Sequence, residues 1–73
     1  MARKNPTLLK LGKNLRKARK SRGWSQEEMA ARCGVHRTYV GSVERGEYNV
    51  TVLTLKKMTK TLGISIGDSL RGI

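Results

Sequence analysis

The sequence predicts an all-α domain of five short helices, and three observations carry that prediction. Apolar residues recur at spacings of three and four, as in Leu8, Leu11, Leu15 and Ala18, or Val52, Leu55, Met58 and Leu62, the period of one helix face. Helix starts are marked by side chains that accept from free N–H groups: Ser25 and Ser65 each stand three residues before an acid, the capping-box spacing, and Thr51 precedes the second stripe. Helix stops are marked by Gly23, Gly34, Gly46 and Gly63, each placed where a left-handed residue ends a helix. No strand, repeat or low-complexity tract is legible.

Residues 1–7, MARKNPT, are expected to form a flexible basic arm in which Asn5 or Thr7 caps the first helix and Pro6 is tolerated at or before the first helical position. Arg3 and Lys4 either touch phosphate or sit on a solvated tail. The first helix is expected over Leu8–Arg22. Its polar faces carry Lys10, Lys13, Arg16, Lys17, Arg19, Lys20 and Arg22 with no acid among them. Like charges at i, i+4 disfavour a lone helix, so the run implies an outside anion. An anionic membrane surface fits less well, because the aliphatic stripe is short, has no aromatic anchor and is needed for the core. Trp24 reads as a core plug, since a lone Trp without interleaved aromatics is a poor base-stacking platform.

The second helix is expected over Gln26–Cys33, with Met29, Ala30 and Cys33 inward, and the third over Arg37–Arg45, with Val40 and Val43 inward. Two short helices around a glycine turn, here Ser25 to Arg45, are the sequence form of a DNA-reading helix-turn-helix. His36 takes the cap position of the third helix, an unusual residue there, or else contacts a phosphate. The fourth helix is expected over Val52–Leu62 and a short fifth over Ile66–Leu70. Residues 8–73 then form one domain, with the helix-turn-helix at about 25–45 and a dimerisation region at about 52–73.

Composition excludes several functions. Sixteen Lys and Arg against five Asp and Glu give a net charge of +11, which favours a polyanionic partner. One cysteine permits no intrachain disulfide and no cysteine-based zinc cluster, and one histidine argues against a mononuclear metal site. No cofactor, metal or small-molecule ligand is expected. No nucleophile, base and orienter stand together, so an enzyme is not expected. No apolar run approaches the roughly 20 residues of a membrane span, and nothing requires an oxidising compartment, which points to the cytoplasm.

Arg19, Ser25-Gln26-Glu27-Glu28-Met29-Ala30, Gly34-Val35, Tyr39-Val40, Val43-Glu44-Arg45-Gly46, Asn49, Thr51, Leu55 and Leu62-Gly63-Ile64-Ser65 occur in an order that resembles the lambda-repressor-like helix-turn-helix family. The match covers about Leu11 to Leu70. Within that family, HRTYVGSVERGEYNVTVLTL is especially similar to the controller proteins of restriction–modification systems. The resemblance implies roles by position. Arg37, Thr38 and Ser42 would read bases in the major groove. Arg37 is the strongest candidate, because its planar fork fits guanine O6 and N7. Gln26, Arg45, Asn49 and Thr51 would bind phosphate, as would Tyr39 in one of the two readings it allows; the other reading of Tyr39 packs its ring against the second helix. Arg19 and Glu44 would form a structural ion pair tying the first helix to the third. The departures are His36 at the cap, Gly41 inside the third helix and Val50 where proline is common. Gly41 either allows close approach to DNA or leaves its face without a reading side chain.

The expected function is a sequence-specific double-stranded DNA-binding transcription regulator, a homodimer on pseudo-palindromic half-sites about 34 Å apart. Leu53, Ile64, Ile66, Leu70 and Ile73 are the candidate dimer surface, Ile64 and Leu70 also being candidates for the monomer core. RNA polymerase is a candidate further partner. The competing readings are an antitoxin-type or phage-repressor-type module and a non-specific nucleic-acid-binding protein.

Overall fold

The computed structural model describes residues 5–73 and contains five helices: α1 (Pro6–Ser21), α2 (Gln26–Cys33), α3 (Arg37–Glu44), α4 (Val52–Leu62) and α5 (Ile66–Ser69). The first boundary differs most from expectation. Asn5 is the N-cap, its side chain accepting from the Thr7 N–H at 2.8 Å, and Pro6 opens the helix. Two of the seven residues assigned to the arm, Pro6 and Thr7, therefore belong to α1 and Asn5 caps it, while Arg3 and Lys4 lie outside the described residues. At the other ends, Arg22, Arg45 and Leu70 each fall one residue past the last helical position and act as C-caps.

The two capping boxes separate in the structure. Ser65 and Asp68 form both halves, Ser65 Oγ accepting from the Asp68 N–H at 2.9 Å and Asp68 Oδ2 from the Ser65 N–H at 3.1 Å. Ser25 accepts from the Glu28 N–H at 3.0 Å, but the Glu28 carboxylate pairs with Arg32 one turn along instead of reaching back. Half of the expected box is made, because an arginine at i+4 offers the carboxylate a charged partner.

The core is filled by Leu11 and Leu15 from α1, Met29, Ala30 and Cys33 from α2, Val40 and Val43 from α3, and Leu55, Met58 and Leu62 from α4. Leu8 and Ala18 of the first stripe are half-buried. Val52 does not belong to the α4 stripe: it is exposed beside Leu53, which is 80% exposed. Trp24, Val35, Ile64 and Ile66 pack against the core from its edge. The Trp24 ring is half-buried, with the Arg32 guanidinium 4.5 Å from its centroid, so the plug is also a cation–π partner.

Three features of α1 decide how it seats on the rest. A Cβ on Gly12 would stand 2.6 Å from the Val43 carbonyl oxygen and 2.8 Å from the Glu44 carbonyl carbon; glycine is what lets α1 touch the backbone of α3. Asn14 donates to the Ser69 and Arg71 carbonyls at 2.8 and 2.9 Å and so binds the end of α5. Arg22, expected on the anion-facing side, donates from Nε to the Leu62 carbonyl at 3.0 Å. A cation there meets the negative end of the α4 dipole. Arg19 is buried, and Arg22, though exposed, is bound to the end of α4, leaving Lys10, Lys13, Arg16, Lys17 and Lys20 as the free basic face.

A candidate nucleic-acid interface

The starts of α2 and α3 flank an open groove whose walls include Ser25, Gln26, Glu27, Arg37, Thr38 and Arg45. Its floor is a polar network. Arg19 grips Glu44 with two hydrogen bonds, Nε to Oε2 at 2.7 Å and Nη2 to Oε1 at 3.0 Å, and the two side chains are 9% and 4% exposed. Arg19 Nη1 also donates to the Trp24 carbonyl at 2.8 Å, and Gln26 Nε2 donates to Glu44 Oε1 at 3.0 Å. The network therefore joins α1, the turn before α2, the first residue of α2 and the last residue of α3. No buried side-chain nitrogen or oxygen among the described residues lacks a partner, the condition under which a buried polar cluster fixes geometry instead of weakening the core.

Gln26 is thus both at the groove and under it. One amide hydrogen is held by Glu44, which sets the orientation of the side chain and leaves its second N–H available to an oxygen. Arg45 lies across Gly41: a Cβ at that glycine would be 3.0 Å from Arg45 Nη1 and 3.3 Å from Gln26 Oε1. The glycine inside α3 makes room for two of the protein's own side chains. Arg45 also pairs with Glu47 at 3.1 Å and reaches Ser42 Oγ at 3.4 Å. Ser42 is half-buried beneath that arginine, less open than Arg37 and Thr38, which are both exposed in the first turn of α3.

His36 caps α3 through its ring. Nδ1 accepts from the Thr38 N–H at 3.1 Å, so the proton of the ring is on Nε2, the donor left for an outside group. Thr51 caps α4 with Oγ1, 3.2 Å from the Thr54 N–H, and Asn49 before it is exposed. Tyr39 packs edge-on against Tyr48, with centroids 4.8 Å apart, and lies half-buried against the core. Tyr48 lies in the loop after α3, whose end is closed by Gly46 at φ 73° with its N–H on the Val43 carbonyl. Leu53, Leu70 and Ile73 are exposed, while Ile64 and Ile66 are half-buried against the core. Among the described residues no three His, Cys, Asp or Glu side chains could hold a metal ion, and no helix is long and apolar enough to cross a membrane.

Sequence reasoning missed Glu27, Glu47 and Tyr48. Glu47 and Tyr48 carry no periodic or capping signal, and the partner of Glu27, Arg37, lies ten residues away on another helix.

Residues 15–69 match the family described as helix-turn-helix. This chain belongs to that family. Its members are DNA-binding transcriptional regulators, not enzymes. Within it the chain is 46% identical over 55 residues to a hypothetical transcription factor of Neisseria meningitidis, a match covering 75% of this chain and 52% of that protein's length. It is 39% identical over 67 residues to the control protein C.BamHI of Bacillus amyloliquefaciens, covering 90% of this chain and 83% of that one. The structure of the restriction–modification controller protein C.AhdI from Aeromonas hydrophila superposes with a TM-score of 0.82 at 40% identity, over 85% of this chain and 94% of that one. SinR, a master regulator for biofilm formation solved in complex with DNA, superposes with a TM-score of 0.78 at 31% identity, over 82% of this chain and 97% of the solved SinR chain.

Proposed function

We propose that the chain reads double-stranded DNA sequence-specifically as a homodimer on a pseudo-palindromic operator, and that it is the controller of a restriction–modification system acting in the cytoplasm. The observation that carries this reading is the groove at the starts of α2 and α3. Arg37 and Thr38 stand exposed on the first turn of α3, the part of a recognition helix that meets base edges. Gln26 and His36 each keep a donor for phosphate beside them, and the starts of α2 and α4 offer N–H groups and a positive dipole end. Dimerisation is supported by the exposed Val52, Leu53, Leu70 and Ile73, apolar side chains that a second copy would cover. A module with two or three reading side chains needs that second copy to multiply its base contacts. The controller role is supported by the similarity to C.BamHI and C.AhdI over 83% and 94% of their chains; RNA polymerase is the partner through which a controller that activates would work.

Selection of bound sequences from a random DNA pool tests the whole reading. A palindromic consensus with half-sites one helical turn apart is the expected result. A pool that emerges with no consensus, or mixed-sequence DNA that competes as well as any selected site, would mean a non-specific nucleic-acid-binding protein instead.

A further inference from the structure

Glu27 lines the groove, yet it belongs neither to the core and its polar floor nor to the set of side chains that would hold DNA. In a chain with five acids against sixteen bases, a carboxylate on the face turned to DNA calls for a reason. Acid at the start of α2 suits the helix dipole, but Glu28 in the same turn supplies that and pairs with Arg32 at 3.5 Å, an arginine that stacks on Trp24 outside the groove. Glu27 instead sets Oε2 3.8 Å from Arg37 Nη1, with the two side chains 77% and 68% exposed. That separation is an ion pair without a hydrogen bond.

We propose that Glu27 is a specificity-determining residue: it cancels the charge with which Arg37 would hold any phosphate and leaves the guanidinium's free edge for a base. The proposal rests on the DNA-reading function. A phosphate attracts an arginine through charge, at any position along the duplex. A guanine edge holds it through two directed hydrogen bonds. Guanidinium carries five N–H donors in a fixed fork, so a carboxylate beside Nη1 leaves Nη2 and Nε to form a bidentate contact. The pair therefore loses more on a random register than on the right base, and specificity is that difference.

The test compares wild type, Glu27→Gln and Glu28→Gln on a selected operator and on a scrambled duplex of equal length, over a salt series. Both variants remove one negative charge, and only Glu27 faces Arg37. Glu27→Gln should tighten binding to the scrambled duplex more than to the operator, lowering the ratio of affinities about two- to fivefold, the range an exposed ion pair spans. The salt slope on scrambled DNA should steepen by about 0.9, one more phosphate contact. Glu28→Gln should leave the ratio unchanged, and Glu27→Gln should do nothing to it in an Arg37→Ala background. Equal tightening on both duplexes, an equal fall in the ratio for Glu28→Gln, or an effect that survives without Arg37 would each overturn the proposal. A wild-type protein with no preferred sequence would overturn the DNA-reading function itself, an outcome distinct from a selective wild type whose ratio Glu27→Gln leaves alone.

Discussion

Two arginine–carboxylate pairs bracket the third helix, and they are built from the same chemistry to opposite ends. Arg19 and Glu44 meet beneath it at 2.7 and 3.0 Å, nearly closed to solvent. Arg37 and Glu27 face each other at its outer start at 3.8 Å, both mostly exposed. Water decides the difference. An exposed pair contributes about 0–1 kcal/mol because solvent and salt screen it, so it can open when something better arrives. A buried pair whose remaining donors and acceptors are all satisfied cannot open without stranding a charge. The lower pair holds α3 against α1 as a fixed floor, and the upper pair keeps a movable reader on top of it.

Breaking the lower pair should have the largest effect. Arg19→Ala or Glu44→Ala should cost about 3–5 kcal/mol by leaving an uncompensated buried charge. For a domain of this size each kcal/mol moves Tm by about 4–8 °C, so thermal melts followed by circular dichroism should show either single variant largely unfolded near room temperature or melting far below wild type. The double variant should lose less than the sum, since the second change removes the stranded partner. A normal melt with lost DNA binding would put Arg19 among the DNA ligands and remove it from the floor.

Legibility in the sequence divides along the same line. Caps and stops are local, so Ser25, Thr51, Ser65, Gly34 and Gly63 mark helix ends within a residue or two, and the apolar period marks the faces that Leu15, Met29 and Met58 bury. Polar side chains that act across the fold carry no such mark. Arg22 belongs to a run of like residues, and nothing local distinguishes its bond to the Leu62 carbonyl from the solvated position of Lys20. Gly12 looks like a weak point in a helix until the α3 backbone is seen against it. Gly41 resembles space left for DNA, yet Arg45 and Gln26 occupy it. Only the resemblance to a known family places Arg19 and Glu44 together, and it does not include the third partner, Gln26, which ties the floor to the groove.

Breaking the upper pair from the arginine side should leave the fold alone and change what is read. Arg37→Ala should shift stability by no more than about 0.5 kcal/mol, as for a surface substitution away from caps and networks. Discrimination at one base position of each half-site should fall by about 1–3 kcal/mol, measured by competition with single-base variants of the selected operator. Equal weakening on every sequence would show that Arg37 holds a phosphate, and the contrast between a fixed floor and a base-reading top would lose its upper half.

A third pair sharpens the comparison because its geometry is good and its burial is not. Arg71 Nη2 stands 3.1 Å from Asp68 Oδ1 at the end of α5, with side chains 81% and 45% exposed. The Ser65 backbone N–H, then the Ser65 hydroxyl and the Arg71 charge, hold the Asp68 carboxyl below its ordinary value of 3.8. A carboxylate with a lowered folded-state pKa contributes stability that is complete above the unfolded value and is lost as pH falls through the folded one. The cap of α5 should therefore persist at pH 3.8 and release only in more acid solution. Side-chain NMR titration of Asp68, with amide exchange at Ser65, Ser69 and Leu70, should show a midpoint below 3.8 and loss of protection confined to α5. A midpoint at or above 3.8 would mean that the box is not formed in solution. Loss of protection across α2 and α3 at the same midpoint would mean that an exposed pair controls the whole fold, against the rule that burial, not distance alone, makes the Arg19–Glu44 pair structural.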